Sequence, residues 1–584
     1  MSAISILMAA GLALGEPVPQ QPMVVTATRQ EQPLADTMAS ATVITRDDIV
    51  ESGARDLMSL LRLQAGIDIS RTGGPGQQTS LFLRGTNSNH VLVLIDGVRA
   101  NAVQSGAFGW EQLPLDEVER IEIVRGPGAA FYGSDAIGGV IQIFTRRPDG
   151  PFVRARGGSY DTLDVSAGIG GGERASWHLT AGHEHTGGFS AQDPSGFSYD
   201  PDDDGYENTN LSAGFTLPVG GRGTLHGTAL HTDGRVQFDQ GVTDTTEQTA
   251  GLGWRGAGAR VQLGFNGERQ ETPVFDSGFR ARRWSLDAQL ARPLGDGHWL
   301  VGVNLRHEHG ESFGLSSGTV AYGDDRDNAG LFAGISESMG AWRAELTARG
   351  DHNSEFGDHA TGKLALSRRF GDARAWASYG TAFRGPNLNE QFSPGFGGQF
   401  AGNPDLDPET SASTELGIEW RPAPGQSLDL NAYHTRIEDL IAFAGENFRA
   451  INVNRATIDG LETRYEWLGE NWRGGAALTL QDTEDQSTGR SLLRRPDRKL
   501  AVTLRRQLGD AADAGVEVVR VGERLDVGGG LDAYTLVNLS GNWRLSRSWS
   551  LDARVENLLD EDYELAAGFN TAGLSAYVGF TWRP

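Results

Sequence analysis

From residue 150 onward, apolar and polar residues alternate along the chain with a period of two. The segment 162–169 shows this alternation, and the segments 284–290, 299–306 and 549–555 repeat it. One face of each segment is apolar and the other is small or polar, as in a β-strand that separates two environments. No long helical pattern interrupts the series. The pattern predicts a long run of antiparallel strands.

Short and long connectors alternate between these predicted strands. Ten short connectors carry Gly, Asp or Pro, and eleven longer polar stretches separate them, which makes 21 connections and 22 strands. An even number of antiparallel strands with short turns at one end and longer loops at the other is typical of a transmembrane barrel. The ten short connectors lie near residues 170–175, 218–223, 255–259, 293–298, 338–341, 370–373, 421–426, 468–471, 507–514 and 545–548.

The tryptophans provide an independent test of the barrel. Transmembrane barrels carry aromatic girdles at the membrane interfaces, whereas tryptophans that merely favour strands would scatter along them. Of 13 tryptophans, ten lie within about three residues of a short connector. The sequence therefore predicts an all-β fold, a 22-stranded antiparallel outer-membrane barrel over residues 150–584. The ten are Trp177, Trp254, Trp299, Trp342, Trp376, Trp420, Trp467, Trp472, Trp543 and Trp549.

The first 146 residues follow a different pattern. Compact apolar segments lie at 41–45, 91–98, 121–125 and 139–145, and apolar residues recur at helical spacing over 47–63. These features predict a small α+β domain. A barrel of 22 strands is wide enough to need a plug, so we expect residues 31–146 to fill its lumen.

Composition and charge narrow the class of protein. The absence of cysteine excludes disulfide scaffolds, zinc ribbons, iron–sulfur proteins and thiol enzymes. A net charge of −25 argues against a nucleic-acid partner. The longest apolar run, residues 3–15, is shorter than the about 20 residues of a spanning helix. It predicts a signal peptide over residues 1–15, with an ordinary N-terminal helix as the alternative.

Motifs that would indicate catalysis are missing. The chain has no phosphate-binding G-K-[ST] sequence and no H-E-x-x-H, and no helical pattern follows the glycines of 126–128. The pairs His183/His185 and His307/His309 each share a strand face and would suit a metal, but their position at the loop bases favours rim residues. We therefore expect no enzyme and no catalytic cofactor.

Several motifs together resemble those of the TonB-dependent outer-membrane receptors. Leu83–Gly85 (LRG) and the long segment 118–145 resemble the plug signature of that family, and 402–409 (GNPDLDPE) and 556–563 (ENLLDEDY) resemble its barrel signatures. Residues 73–99, 378–388 and 491–499 are closest to the cobalamin (vitamin B12) receptors of the family. The energy-coupling segment, or TonB box, is matched by Met23, Val24, Val25, Thr26 and Ala27.

This resemblance implies a function and a set of partners. It implies active uptake of cobalamin or a related corrinoid across the outer membrane of a Gram-negative cell, by a lipid-embedded monomer that TonB and the inner-membrane energising complex drive. Residues 16–30 would form a periplasmic segment whose TonB box adds a strand to the partner's sheet edge. A receptor for siderophores or other metal chelates is the alternative. A passive porin or a surface enzyme needs neither a plug nor a coupling box.

The resemblance also implies which residues contact the ligand. Five lie on two apical loops of the plug and one on the barrel wall, and most carry amide or hydroxyl groups. Such groups suit the amide-rich rim of a corrinoid because they donate and accept hydrogen bonds. The six residues are Gln78, Ser80, Asn87, Gln104, Ser105 and Arg494.

An acidic loop provides a hypothesis for a metal. Asp200, Asp202 and Asp204 alternate ahead of a glycine, a spacing of hard oxygen ligands that suits Ca²⁺, although a solvated acidic loop also explains it. The resemblance adds Asp239 and Asp244 from the next loop. It implies that structural Ca²⁺ orders these extracellular loops and lowers the entropic cost of binding the ligand.

Overall fold

The computed structural model describes residues 24–25, 29–196, 198–395, 399–444 and 447–584, with backbone only for Val24, Val25 and Asn454. The predicted signal peptide and three residues of the predicted coupling box, Met23, Thr26 and Ala27, lie outside the described residues.

The N-terminal region forms a small mixed domain around one sheet. This sheet has the strand order β3-β8-β9-β6-β7, in which β6 and β9 run parallel, while β1 pairs with β2 and β4 with β5. The helices are α1 (Arg46–Ser52), α2 (Leu57–Leu61) and α3 (Ala129–Tyr132). The strands are β1 (Val24–Val25), β2 (Gln32–Pro33), β3 (Ala41–Thr45), β4 (Ile67–Arg71), β5 (Thr79–Leu83), β6 (Val91–Ile95), β7 (Val98–Arg99), β8 (Val118–Arg125) and β9 (Gly139–Thr145).

The helix predicted over residues 47–63 is two helices in the structure. Gly53 ends α1 in the left-handed conformation (φ 63°), and the side chain of Asp56 then caps α2 by accepting a hydrogen bond from the backbone N–H of Ser59 at 2.7 Å. Both helices bury apolar side chains, such as Ile49 of α1 and Leu57 of α2, in one cluster with the sheet residues Ile121 and Ile123. Among the helices of the described residues, none is long and apolar enough to cross a membrane.

The rest of the chain forms a closed barrel of 22 antiparallel strands. A small hairpin, β29 (Arg524–Asp526) with β30 (Gly529–Leu531), and helix α4 (Leu388–Phe392) lie in its loops. Short 3₁₀ helices occupy Leu34–Asp36, Ser88–His90, Trp110–Gln112, Leu115–Glu117, Gly220–Arg222 and Pro273–Phe275. The barrel strands are β10 (Phe152–Gly158), β11 (Thr162–Gly171), β12 (Ser176–Thr186), β13 (Tyr206–Pro218), β14 (Thr224–Phe238), β15 (Gly241–Gly256), β16 (Ala259–Thr272), β17 (Ser277–Leu294), β18 (Gly297–Gly314), β19 (Val320–Met339), β20 (Trp342–Asn353), β21 (Gly357–Phe370), β22 (Ala373–Arg384), β23 (Glu409–Trp420), β24 (Gln426–Ala444), β25 (Arg449–Leu468), β26 (Trp472–Asp485), β27 (Arg498–Gln507), β28 (Ala512–Val521), β31 (Tyr534–Arg544), β32 (Trp549–Glu556) and β33 (Ser575–Trp582).

Each of the ten predicted short turns is confirmed, because every one falls between two strands that the structure pairs. These turns define the short-turn end of the barrel, and the other connections define the long-loop end. At the long-loop end, connections of a dozen residues or more are 187–205, 385–408, 486–497, 522–533 and 557–574. The remaining loops are shorter than predicted because the strands extend beyond the membrane. A strand needs about 10 residues to cross the hydrocarbon, whereas β19 has 20.

The barrel strands turn apolar side chains outward and polar ones toward the plug. Leu331, Leu346 and Leu364 are exposed on the outer wall, and several tryptophans near the short turns are exposed there too. Trp376 is different, because its side chain is only 6% exposed and faces the interior. It packs over the bare backbone of Gly417, and the guanidinium of Arg374 lies 5.0 Å from its ring centroid. Trp376 therefore does not belong to the predicted girdle.

Candidate functional site

A buried arginine of the plug is clamped by two carboxylates of the barrel wall. The Arg84 guanidinium donates to Glu462 at 3.0 and 2.8 Å and to Glu415 at 3.0 Å, and it lies 4.4 Å from the ring centroid of Tyr433. Gly66 lets the plug come this close, since a Cβ there would lie 2.0 Å from the carboxylate of Glu462. Because all of these side chains are buried, removing one member would leave uncompensated charge in the lumen.

A second buried network ties the plug to the long-loop end. The imidazole Nε2 of His90 lies 2.8 Å from Glu409 Oε2, and the guanidinium of Arg384 contacts the same carboxylate. Arg384 also donates to both oxygens of Glu390 on α4, at 2.9 and 3.0 Å. The plug loop at residue 90, the end of β22 and the connection that holds α4 are thus joined through one set of charges.

The first plug loop lies at the mouth of the barrel. Gln78 is exposed there, while Ser80 and Asn87 are partly buried. The side-chain oxygen of Asn87 accepts a hydrogen bond from Arg495. Arg495 is buried and also donates to the backbone oxygen of Gly85 at 3.0 Å, so it holds the loop from the barrel side. Arg495 is not among the residues predicted from the sequence, where the doublet of arginines at 494–495 was the available signal.

The second plug loop is fastened to the connection between β22 and β23. The side-chain amide of Asn387 donates to the backbone oxygen of Ser105 at 2.8 Å, and the N–H of Asn389 donates to the backbone oxygen of Gln104 at 3.1 Å. These bonds leave the Gln104 and Ser105 side chains partly exposed. The loop is therefore held in place mainly by its backbone. Its side chains make two longer hydrogen bonds, from Gln104 to the Tyr322 hydroxyl at 3.5 Å and from the N–H of Ala107 to Ser105 at 3.3 Å.

Arg494 lies on a neighbouring loop at the same end. Its backbone is in the left-handed region (φ 66°), and its guanidinium donates to Asp526 at 2.7 Å. The structure thus places all six predicted ligand residues at the long-loop end, on the plug apex and on the loop that follows β26. It uses Arg494 and Asn87 in contacts within the protein.

The acidic loop brings four of its five predicted carboxylates toward one place. Asp204 is buried and accepts a hydrogen bond from the N–H of Ala191 at 2.6 Å, and Asp239 accepts one from the N–H of Asp200 at 3.1 Å. Burial, together with the negative charges of Asp239, Asp202 and Asp200, raises the pKa of Asp204 to about 6. Among the described residues, no group of three or more carboxylate or histidine side chains is arranged to hold a metal ion.

Asp244 lies apart from the other four carboxylates. It occupies β15, on the strand face that also carries the exposed Leu252, and it forms an ion pair with Arg235 at 3.1 Å across the outer wall. The carboxylate is therefore already neutralised by an arginine.

The segment after the predicted coupling box is attached to the short-turn end. The backbone of Val24 and Val25 pairs with Pro33 and Gln32 as a two-stranded ribbon. Beyond it, the Arg29 guanidinium donates to Asp287 of β17 at 2.7 Å. The same guanidinium lies between the aromatic rings of Tyr132 on α3 and Phe332 on β19, 4.8 and 4.9 Å from their centroids. One arginine therefore joins the N-terminal segment, the plug and the wall.

Family models match both parts of this architecture. The model described as TonB dependent receptor-like, beta-barrel covers residues 125–558, and the TonB-dependent Receptor Plug Domain covers residues 33–140. The chain belongs to the TonB-dependent receptor family. The closed 22-stranded barrel is accordingly an outer-membrane barrel, and the N-terminal domain is its plug.

Similar proteins include both vitamin and siderophore receptors. The chain is 30% identical to the Vitamin B12 transporter BtuB of Vibrio cholerae, over 98% of this chain and 97% of that protein. Among solved structures it is similar to a mutant of the ferric enterobactin receptor PfeA of Pseudomonas aeruginosa, with 20% identity, a TM-score of 0.80 and coverage of 96% and 100%. The siderophore receptor PirA of Acinetobacter baumannii gives 17% identity, a TM-score of 0.79 and coverage of 93% and 98%. At these identities the solved structures show the fold alone.

Proposed function

We propose that this receptor takes up cobalamin or a related corrinoid across the outer membrane in a TonB-dependent manner. The observation that carries the proposal is the 30% identity to a vitamin B12 transporter over almost the whole of both chains. The amide and hydroxyl side chains at the plug apex support it, because they match the polar amide rim of a corrinoid. The test is saturable binding of cobalamin to the purified protein, with ferric chelates as competitors.

A ferric siderophore is the second candidate, because the similar solved structures are siderophore receptors. The charge of one side of the mouth disfavours an anionic chelate, although Arg494 and Arg495 lie on another loop at the same end. Loops 187–205 and 557–574, which we call the acidic loop pair, carry nine carboxylates and no lysine or arginine. They pack together, and Asn570 donates to the backbone oxygens of Ser190 and Gln192 at 2.9 and 2.8 Å. Fields of this kind repel anions and admit neutral or cationic ligands.

In this proposal the energy for transport enters at the short-turn end. TonB engages residues 23–27 as an added strand and pulls on the segment that follows. The pull must first separate β1 from β2 and then break the contacts of Arg29 with Asp287, Tyr132 and Phe332. Because Tyr132 belongs to the plug helix α3, force on Arg29 reaches the plug directly.

We further propose that Ca²⁺ is a structural ligand of the acidic loop. The donor set fits, since Asp200, Asp202, Asp204 and Asp239 offer only oxygen atoms, and no cation contributes to the shifted pKa of Asp204. When bound, the ion would neutralise these carboxylates and fix the loop above the plug. The chain's own hydrogen bonds, from Ala191 to Asp204 and from Asp200 to Asp239, hold the two loops together, and the ion would have to draw the carboxylates closer.

A further inference from the structure

A small cavity lies between the plug and the wall in the half of the lumen nearer the short-turn end. The plug contributes Arg99 and Tyr132 to its lining, the wall contributes strands β16 to β18, and the N-terminal segment contributes Arg29. The cavity has a volume of about 50 Å³, which is room for a few water molecules or one small polar group. A whole corrinoid does not fit while Arg29 is in place.

The lining of this cavity is strongly basic. Of the described residues that line it, Arg29, Arg99, Arg260 and Arg306 are cations and Asp287 is the one carboxylate. Asp287 is already engaged by Arg29 at 2.7 Å. Burial lowers the pKa of Arg99 to about 9, and the nearby guanidiniums of Arg306 and Arg283 contribute to the shift.

Part of this hydrogen-bonding capacity is unused. Arg99 pairs with Asp135, and Arg306 with Glu308, but these acids do not line the cavity. The Nε atom of Arg29 is buried and makes no hydrogen bond with any residue that the structure describes, whereas the Nε of Arg306 is the atom that faces Glu308, at 3.3 Å. Arg260 donates to the side-chain oxygen of Gln262 at 2.6 Å, and no carboxylate of the described chain lies within 4.0 Å of its guanidinium. Arg260 is therefore a partly buried cation without an acid partner among the described residues, and such a cation favours an incoming anion.

We propose that this arginine cavity is an anion subsite that takes a phosphate group, and that the group belongs to the transported ligand. The inference rests on the proposed corrinoid function, because cobalamin carries a phosphodiester between its corrin ring and its nucleotide base. Arginine forks bind phosphate oxygens in pairs. When TonB withdraws the N-terminal segment, Arg29 leaves with it, the cavity widens, and Arg99, Arg260 and Arg306 remain to receive the phosphodiester.

The first arm of the test uses inorganic phosphate and the purified full-length protein. Titration calorimetry compares the wild type with Arg260→Gln, with the charge-retaining Arg260→Lys, and with Arg282→Gln. Arg282 is exposed on the face of β17 that carries Trp284, so it serves as the matched control. We expect Arg260→Gln to weaken phosphate binding about tenfold or more and Arg282→Gln to bind like the wild type. Arg260→Lys should bind with an intermediate affinity, because lysine keeps the charge but not the fork. No phosphate binding to the wild type, or equal binding to Arg260→Gln, would overturn the subsite.

The second arm separates the ligand's phosphodiester from free phosphate. Uptake by cells is measured for cobalamin and for cobinamide, a corrinoid without the nucleotide loop and its phosphodiester. We expect Arg260→Gln to slow cobalamin uptake about tenfold relative to cobinamide, while binding of both at the cell surface stays unchanged. Equal effects on the two corrinoids would overturn the assignment of the bound group to the phosphodiester of the ligand. The cavity would then be a site for free phosphate. If the wild type binds neither corrinoid, the proposed function fails, and the phosphate titration still decides whether the cavity binds anions.

Discussion

At the long-loop end, the acidic loop pair carries nine carboxylates and no lysine or arginine, whereas the cavity near the short-turn end is lined by four arginines and one carboxylate. A ligand that enters through the first region must not be repelled by negative charge, and one that passes the second benefits from an anionic group. A corrinoid with a single phosphodiester in a largely uncharged amide framework satisfies both conditions. An anionic ferric chelate satisfies only the second.

The two regions also differ in how they are held. The plug apex is fixed by buried charge networks around Arg84 and His90, which bind it to several wall strands at once. The N-terminal segment is held by a two-residue ribbon and by Arg29, which contacts Asp287 through its side chain and Gln289 through its backbone oxygen. An exposed ion pair between Glu31 and Arg255 adds to these contacts, but no buried charge network of the described residues does. This contrast indicates that the upper part of the plug keeps its shape while the lower end is the part that TonB can release.

The largest expected effect comes from deleting the predicted coupling box that TonB would pull. Deleting residues 22–28 should abolish cobalamin uptake entirely, because no strand remains for TonB to engage. Binding at the cell surface should stay at the wild-type level, because the predicted ligand residues lie at the opposite end of the barrel. Radiolabelled cobalamin measures both quantities in the same cells, and uptake that persists in the deletion would refute the transport mechanism.

The next test weakens the part that should stay rigid. Arg84→Ala leaves Glu415 and Glu462 buried without their partner, which should destabilise the docked plug by about 3–5 kcal/mol. Hydrogen exchange should increase in β4, β5 and the plug apex, and the pore should conduct ions in planar bilayers. Arg282→Ala, which removes an outward arginine, should change neither measurement. Unchanged exchange in Arg84→Ala would show that the clamp does not hold the plug.

The next test measures how the affinity of the acidic loop for Ca²⁺ depends on pH. Burial and the neighbouring carboxylates raise the pKa of Asp204 to about 6, so the carboxyl takes up a proton as the pH falls through 6. Ca²⁺ must then displace that proton, and its affinity should fall about tenfold between pH 7 and pH 5. Terbium luminescence measures the affinity, and cobalamin binding should weaken in parallel. Asp204→Asn should bind the ion weakly at both values, whereas Asp244→Asn, which alters the outer-wall pair with Arg235, should follow the wild type.

The smallest expected effect concerns the attachment of the N-terminal segment. Arg29→Gln removes the ion pair with Asp287 and the contacts with two aromatic rings, which together contribute about 1–2 kcal/mol. Amide exchange at Gln32 should become about tenfold faster, while cobalamin affinity stays constant. A change in affinity without faster exchange would indicate that Arg29 acts on the ligand site and not on the segment.

Much of the barrel could be predicted from the sequence because its strands and turns are determined by residues close together in the chain. Alternating side chains mark each strand, and glycine-rich turns end it, so the ten turns were found where the structure has them. The lengths of the loops could not be predicted, because strands such as β19 keep the same alternation after they leave the membrane. Whether Trp376 points inward depends on which alternate positions of β22 face the lumen, and the nearby turn does not determine this.

The candidate site was predicted only as far as its residues resemble those of a family. Gln78, Ser80, Asn87, Gln104 and Ser105 lie at the mouth as expected, but the residues that hold them come from far along the chain. Arg495 meets Asn87 across 408 positions, and Arg29 meets Asp287 across 258. The arginine cavity likewise joins the N-terminal segment, the plug and three wall strands. No periodicity in the sequence encodes such contacts, since they arise only when the plug docks in the barrel.

Binding of ligands to the purified receptor distinguishes a corrinoid receptor from a siderophore receptor. Cobalamin and a ferric catecholate are titrated separately, each with Ca²⁺ and with a chelator, at pH 7. The account predicts saturable cobalamin binding that the chelator weakens about tenfold, and no saturable binding of the ferric chelate. Saturable binding of the ferric chelate together with no binding of cobalamin would contradict the account and identify a siderophore receptor.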